Sequence, residues 1–164
     1  MTRYFRFATP LGSMYATLRD EALSGLYFDG ARHAPALAVD WRREDDSPLA
    51  RECARQVLEY FTGTRRAFEL PLAPAGTPFQ ERVWAQIARI PYGATLSYAE
   101  LARRSLAPQA SRAAGAATGR NPLTLIVPCH RVVGSGGSLT GYAGGMERKA
   151  RLLALEGARE AVAA

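Results

Sequence analysis

A cysteine and a histidine stand side by side in the apolar segment 126–133 of this 164-residue chain. Cys129 follows Pro128 and precedes His130 and Arg131. The thiolate is the reactive form of cysteine, and nearby positive charge lowers the pKa of a thiol. These neighbours favour an activated nucleophile at Cys129, with His130 as its base. The alternative is a buried structural cysteine, since free cysteines commonly pack as small apolar residues.

A base of this kind needs an acceptor that orients its ring. Glu156 is one of the few carboxylates in the second half of the chain, and it ends a leucine-rich segment. This position predicts partial burial, where Glu156 could hold His130; the alternative is a surface residue at a helix end. Because adjacent side chains usually diverge, we expect a water to relay the proton from Cys129 to His130.

The chain contains two cysteines, Cys53 and Cys129, and two histidines, His33 and His130. The cysteines are far apart and form no C-x-x-C pair, so we expect no disulfide framework. A four-ligand metal centre would require all four of these side chains. The sequence therefore predicts no metal site.

The net charge of +6 lies entirely in the second half of the chain. Residues 1–76 hold 10 basic and 10 acidic side chains, whereas residues 77–164 hold 11 and 5. No acidic residue occurs between Glu100 and Glu147, although five arginines do. An acid-free basic stretch favours nucleic acid as a partner over a merely solvated basic face.

The first 76 residues predict a small α/β domain. Strand-like runs joined by short polar turns predict a three-stranded antiparallel sheet, followed by a loop over residues 29–46. Ser47 and Pro48 then mark the start of a helix. Its predicted apolar stripe is Leu49, Cys53, Val57 and Phe61. Because the charge is balanced and no motif occurs, we expect this domain to be mainly structural.

Residues 77–164 predict a second, mostly helical domain, separated from the first by a proline-rich boundary. Thr77 and Ser97 each begin a predicted capping box. The helix after Ser97 is short, and a turn leads from it into a helix of small residues over 109–119. Two short helices joined by a tight turn form a helix-turn-helix candidate.

The end of the chain predicts a wing and a final helix. The glycine- and serine-rich segment 134–137 is predicted as a hairpin that would serve as the wing. The last helix is predicted over 146–156, with Gly157 as its C-cap. Its expected core residues are Leu152, Leu153 and Leu155.

The segment from Thr77 to Gly157 resembles the O6-alkylguanine-DNA alkyltransferase family, the methylated-DNA–protein-cysteine methyltransferases. Several motifs occur in family order and at family spacing, which makes the match specific, whereas residues 1–76 match only loosely. The resemblance implies an α+β protein, in which a small N-terminal sheet and helix precede a winged helix-turn-helix domain. The motifs are Ser97-Tyr98, Ser111-Arg112-Ala113, Arg120-Asn121-Pro122, Pro128-Cys129-His130-Arg131-Val132-Val133, Gly141-Tyr142-Ala143-Gly144-Gly145 and Leu153-Ala154-Leu155-Glu156-Gly157.

The resemblance implies direct reversal of DNA damage. O6-alkylguanine, and O4-alkylthymine with it, would be rotated out of the duplex because the target atom is buried in the base stack. Cys129 would take the alkyl group irreversibly, in a single turnover and without a cofactor. His130 would accept the thiol proton and Glu156 would orient His130, while Asn121 would be the hinge before the active-site segment.

The resemblance also implies how DNA is held. Arg112 would fill the space that the damaged base leaves, and Tyr98 would crowd its phosphate and hydrogen-bond the base. The implied partner is alkylated double-stranded DNA, bound in the minor groove by a monomer, with cooperative binding left open. The full implied set of DNA- and base-binding residues is Tyr98, Arg112, Ala113, Ala114, Gly115, Arg120, Arg131, Val132, Tyr142, Ala143 and Lys149.

Neither a stretch of about 20 apolar residues nor a signal-peptide core occurs in the sequence, so we expect a cytoplasmic protein without membrane contact. Three other functions remain open. A lesion-recognition protein without transfer would share the basic helix but would not need Cys129, His130 and Glu156. A cysteine hydrolase would need an oxyanion hole and turnover. A winged-helix transcription factor would read sequence, whereas the minor groove carries a degenerate pattern.

Overall fold

The computed structural model describes residues 2–158 and begins with an antiparallel meander. Its strands are β1 (Arg3–Phe7), β2 (Met14–Arg19) and β3 (Ala22–Phe28), which confirms the three predicted strands. A fourth strand, β4 (Arg42–Arg43), pairs with β1 in parallel, so the order across the sheet is β3-β2-β1-β4. It lies in the segment predicted as a loop, because two residues are too few to show a strand's alternation.

Helix α1 (Pro48–Phe61) begins where the sequence predicts, and the amide of Ala50 donates to Ser47 Oγ at 3.1 Å. Its buried face differs from the predicted stripe, because Leu49 and Phe61 are only partly buried. The prediction used apolar residues alone, whereas this face also includes a glutamine and a tyrosine. The buried residues of α1 are Ala50, Cys53, Gln56, Val57 and Tyr60.

Four helices dominate the second part of the chain. The first three pack together, and Trp84 Nε1 donates to the carbonyl of Ala117 at 2.8 Å, which ties the first of them to the third. Two short strands, β5 (Leu96–Ser97) and β6 (Val132–Val133), pair in parallel. The helices are α2 (Pro78–Ile87), α3 (Tyr98–Arg104), α4 (Ser111–Gly119) and α5 (Met146–Glu156).

The capping box at Thr77 forms as predicted, but the one at Ser97 forms only in part. Ser97 Oγ accepts a hydrogen bond from the amide of Glu100 at 3.1 Å. The Glu100 carboxylate accepts from Arg103 and Arg104 of its own helix. The buried Glu100 therefore forms ion pairs with both arginines of α3, which partly neutralise their charge.

The helix-turn-helix consists of α3 and α4. Helix α4 begins at Ser111, two residues later than predicted, because the backbone of Ala110 is not helical (φ −117°, ψ 44°). The glycine-rich segment after β6 contains one 3-10 turn, Ser135–Gly137. The amide of Gly134 donates to the carbonyl of Ser138 at 2.8 Å and closes this turn.

The last helix, α5, turns one face to the core and one to solvent. Leu152 and Leu153 are buried as predicted, but the prediction for Leu155 was wrong, because its side chain is 37% exposed. Glu156 lies one turn after Leu152, which places it on the buried face. Gly157 ends the helix in the left-handed conformation (φ 67°), as expected of a C-cap glycine.

Strand β3 joins the two parts of the chain into one core. The amide of Leu26 donates to the carbonyl of Pro122 at 2.7 Å, and the amide of Thr124 donates to the carbonyl of Leu26 at 3.0 Å. On the same strand, Leu23 forms a bridge with Leu72 of the proline-rich boundary. The N-terminal sheet therefore directly supports the segment that leads from α4 to Cys129.

Candidate active site and nucleic-acid surface

Cys129 and His130 lie in a 3-10 turn that leads into β6. Asn121, two residues after the end of α4, holds the segment before this turn. Its Nδ2 donates to the carbonyl of Val127 at 2.8 Å, and its Oδ1 accepts from the amide of Leu123 at 2.9 Å. These two hydrogen bonds fix the segment between α4 and Cys129, while the hinge role of Asn121 stays a prediction.

Glu156 accepts hydrogen bonds from three side chains in the interior. Its Oε2 lies 2.8 Å from His130 Nε2 and 2.6 Å from Tyr60 Oη. Arg131 donates to both carboxylate oxygens, through Nε at 2.8 Å and Nη2 at 2.9 Å. Arg131 Nη1 also donates to the carbonyl of Ile90 at 2.6 Å. The predicted pairing of His130 with Glu156 is thus present in the structure, as part of a larger network.

This network sets the proton positions on His130. Although burial raises the pKa of Glu156, the hydrogen bonds from His130 and Arg131 outweigh it and hold that pKa at about 2. Burial lowers the pKa of His130, and its contact with Glu156 only partly opposes this. The anionic Glu156 can only accept, so His130 Nε2 carries the hydrogen and Nδ1 is an acceptor. Within residues 2–158 the buried Nδ1 makes no hydrogen bond.

The charge state of Cys129 differs from the expectation. We expected positive charge to lower the pKa of its thiol, but burial raises that pKa, and the Asn121 side chain and the Lys149 charge counteract burial only in part. The neighbouring Arg131 does not activate the thiol, because it is paired with Glu156. Resting Cys129 is therefore a thiol, and a base must take its proton before it can attack.

Lys149 lies in the interior rather than at the surface. Its ammonium group donates to the carbonyls of Val132 at 2.6 Å, Thr140 at 2.8 Å and Gly141 at 3.2 Å. Burial lowers the pKa of Lys149 to about 8. Three bonds to one loop and to β6 indicate that Lys149 holds the 140–142 loop in place beside Cys129.

A cavity of about 330 Å³ opens beside Cys129, between α4, the loop that follows Thr140 and an N-terminal loop. Tyr142 contributes to the wall of this cavity, and its buried hydroxyl has no hydrogen-bond partner among the residues that the structure describes. Six residues predicted from the sequence line this cavity: Tyr98, Gly115, Arg120, Cys129, Tyr142 and Ala143.

The remaining residues predicted to bind DNA divide into two groups. Arg112 and Ala113 are exposed on the outer face of α4, where a duplex could reach them. The others are buried and are not among the residues that line the cavity, so their predicted contact with the base stays a prediction. These are Ala114, Arg131, Val132 and Lys149.

Three N-terminal residues reach this region although the sequence did not indicate them. Arg32 and His33 line the cavity, and the amide of Arg32 donates to the carbonyl of Ala143 at 2.8 Å. Tyr60 contacts Glu156, as described above. The positions of Arg32 and His33 were not predicted, because a loop without periodicity carries no signal of what it covers.

Over residues 2–158, no cluster of three or more His, Cys, Asp or Glu side chains could hold a metal ion. Within the same range, no helix combines the length and apolar character needed to cross a bilayer.

Comparison with known proteins extends over almost the whole chain. The model of the ribonuclease-like domain of 6-O-methylguanine DNA methyltransferase matches residues 2–74, and the model of its DNA binding domain matches residues 78–158. The methylated-DNA–protein-cysteine methyltransferase of Methanosarcina acetivorans is 42% identical, over 94% of this chain and 97% of that protein. The constitutive enzyme of Bacillus subtilis is 40% identical, over 95% and 96%.

Solved structures give the same answer. Mycobacterium tuberculosis OGT, in its complex with DNA, superposes with a TM-score of 0.87 at 38% identity, over 94% of this chain and 92% of that one. Fold and matches define an α+β protein with an N-terminal sheet and a C-terminal helical DNA-binding domain. The chain belongs to the 6-O-methylguanine DNA methyltransferase family, which confirms the resemblance seen in the motifs and extends it to the N-terminal part.

Proposed function

We propose that this protein repairs alkylated DNA by moving the alkyl group from O6-alkylguanine, and from O4-alkylthymine, to Cys129. The observation that carries the proposal is the place of Cys129. It lines a cavity next to α4, and the adjacent His130 is oriented by Glu156 at 2.8 Å. The name shared by the relatives, methylated-DNA–protein-cysteine methyltransferase, supports the same reaction.

The geometry supports a proton transfer followed by a displacement. His130 Nδ1 accepts the thiol proton of Cys129 through a water, and Glu156 stabilises the resulting imidazolium. The thiolate sulfur bonds to the alkyl carbon while the carbon–oxygen bond breaks, and the electron pair of that bond passes to the nucleobase. The nucleobase gains one proton, which balances the proton that the thiol lost. The product is a thioether, which water does not cleave, so each molecule acts once.

The outer face of α4 is suited to close contact with DNA. Ala113 and Ala116 are exposed between Arg112 and Arg120, so the backbone can approach the duplex while arginines meet its phosphates. We place this face in the minor groove, with a monomer as the acting unit. The target base would enter the cavity, where the side chains of Tyr98 and Tyr142 can contact it.

Stoichiometry tests the proposed reaction. With a duplex containing O6-methylguanine in tenfold molar excess, we expect repair to stop at one guanine per protein molecule. Counting restored guanines against protein concentration measures this limit. Repair of several guanines per molecule would contradict the irreversible step, and no repair with lesion-selective binding would favour a recognition protein.

Replacing Arg112 with alanine should slow transfer from duplex DNA by about tenfold, because base rotation then loses the side chain that fills the vacated space. Transfer from the free alkylated base should stay within about twofold of the wild type, since no duplex is opened. Single-turnover rates with both substrates measure the difference. Arg51→Ala, which removes an exposed arginine from α1, is the control for lost charge. Equal losses on both substrates would show that Arg112 acts on something other than the duplex.

A further inference from the structure

Tyr60 brings a hydroxyl from the N-terminal helix to the centre of the site. It is completely buried, and its Oη donates to Glu156 Oε2 at 2.6 Å. The same oxygen accepts the hydrogen bond from His130 Nε2 at 2.8 Å. Tyr60 and His130 thus compete for one carboxylate oxygen, although 70 positions separate them in the sequence.

We propose that Tyr60 is a positioning residue for the transfer reaction, through which helix α1 limits how strongly Glu156 draws a proton onto His130. This proposal rests on the proposed alkyl transfer to Cys129 and adds a role for the N-terminal part. Tyr60 does not touch the reacting atoms, and it acts only through Glu156.

The phenol acts as a permanent donor. Burial raises the pKa of Tyr60, and the adjacent Glu156 raises it further, so the hydroxyl stays neutral at every working pH. The positive end of its O–H dipole points at the oxygen that faces His130. This dipole offsets part of the carboxylate's charge and weakens its attraction for an imidazolium.

Apart from Glu156, which loses one hydrogen bond, the charged and titratable groups around His130 keep their contacts when this hydroxyl is removed. Glu156 and Lys149 face it from α5, and Arg131 and Cys129 lie on its own turn. The neutral Tyr142 lies near Cys129 and Glu156, on the loop before α5. A substitution at Tyr60 that keeps the ring therefore changes one dipole in an otherwise constant environment.

Loss of the Tyr60 hydroxyl should move the pH dependence of the transfer rate in one direction. His130 accepts the thiol proton only when Nδ1 is free, so the reaction slows when acid protonates His130. Without the Tyr60 hydroxyl, Glu156 attracts the imidazolium more strongly, and His130 becomes protonated at higher pH. The acid limb of the rate profile should therefore move to higher pH, while the rate at alkaline pH stays nearly constant.

Tyr60→Phe is a mild substitution for the fold. Phenylalanine keeps the ring contacts with Phe68 and Tyr92, whose centroids lie 5.7 Å and 6.3 Å away. Glu156 Oε2 keeps its hydrogen bonds from His130 and Arg131. Tyr92→Phe is the matched control, because that hydroxyl donates to the carbonyl of Leu155 at 3.4 Å and not to Glu156.

The experiment compares single-turnover methyl transfer from a lesion duplex between pH 5 and pH 9. In Tyr60→Phe we expect the midpoint of the acid limb at higher pH, with a rate about threefold or more below wild type at pH 6 and within about twofold at pH 8.5. Tyr92→Phe should follow the wild type. An unmoved limb, a shift to lower pH, or an equal loss at every pH would overturn the proposal, since a purely structural role lowers all rates alike.

A second substitution keeps the proposal testable if Tyr60→Phe does not fold. Introducing 3-fluorotyrosine at position 60 alone makes the phenol a stronger donor, so the limb should move to lower pH. A limb that does not move would again overturn the role of Tyr60. If the wild type transfers the methyl group and both variants keep its pH–rate profile, the positioning role of Tyr60 is rejected and alkyl transfer to Cys129 still stands. If the wild type transfers nothing, both the positioning role and alkyl transfer are rejected.

Discussion

Cys129→Ser is expected to abolish alkyl transfer and to leave DNA binding intact. A serine hydroxyl is much harder to deprotonate than a thiol, so the transfer rate should fall by more than about a thousandfold. Cys129 lies beside the cavity and not on the exposed face of α4, so binding of a lesion duplex should change little. Single-turnover transfer and equilibrium binding, measured on the same preparation, separate the two effects.

Cys53→Ala is the matched control for this substitution. Cys53 is completely buried in the core, and burial raises the pKa of its thiol to about 12, so it cannot serve as the nucleophile. The control should transfer at close to the wild-type rate. Transfer by Cys129→Ser, or its loss in a folded Cys53→Ala, would contradict the assignment of Cys129.

Glu156→Gln is expected to destabilise the fold and to impair the chemistry. The substitution leaves Arg131 as an uncompensated buried charge, a change that typically costs about 3–5 kcal/mol of unfolding free energy. It also removes the anion that stabilises protonated His130, so transfer should slow in the fraction that stays folded. Urea unfolding measures the first effect, and transfer rates at low temperature measure the second.

The difference in unfolding free energy between the wild type and Glu156→Gln should become smaller at acid pH. Because the folded state holds the pKa of Glu156 at about 2, below the ordinary value of 4.5, its contribution is complete above pH 4.5 and is lost as the pH falls toward 2. The difference in unfolding free energy between the wild type and Glu156→Gln should therefore decrease below about pH 4.5. Glu147→Gln, on the exposed first turn of the same helix, should unfold with nearly the free energy of the wild type. If Glu156→Gln lost the same unfolding free energy at pH 7 and at pH 3, the hydrogen-bond network around Glu156 would be contradicted.

Local sequence patterns predicted what depends on neighbours in the chain. Ser47 with Pro48, and Thr77 with Gln80, place two helix starts correctly, because capping uses side chains within one turn. The contiguous Cys129 and His130 also mark the active segment directly. The family resemblance, and not spacing, linked Glu156 to His130 across 26 positions.

The missed features depend on distant contacts or on burial. Tyr60 meets Glu156 across 96 positions, and its residue type marks it only as a core aromatic. Arg32 and His33 reach the cavity because a loop folds over it. The thiol pKa of Cys129 was expected in the wrong direction, since adjacency to Arg131 said nothing of the burial that dominates it.

Irreversible alkyl transfer to Cys129 is tested most directly by the intact mass of the protein after incubation with a duplex that contains one O6-methylguanine. We expect the wild type to gain the mass of one methyl group, which peptide mapping places on Cys129, and to gain no more when further lesion duplex is added. A wild type of unchanged mass that still binds the lesion, or a methyl group on any other residue, would contradict this transfer.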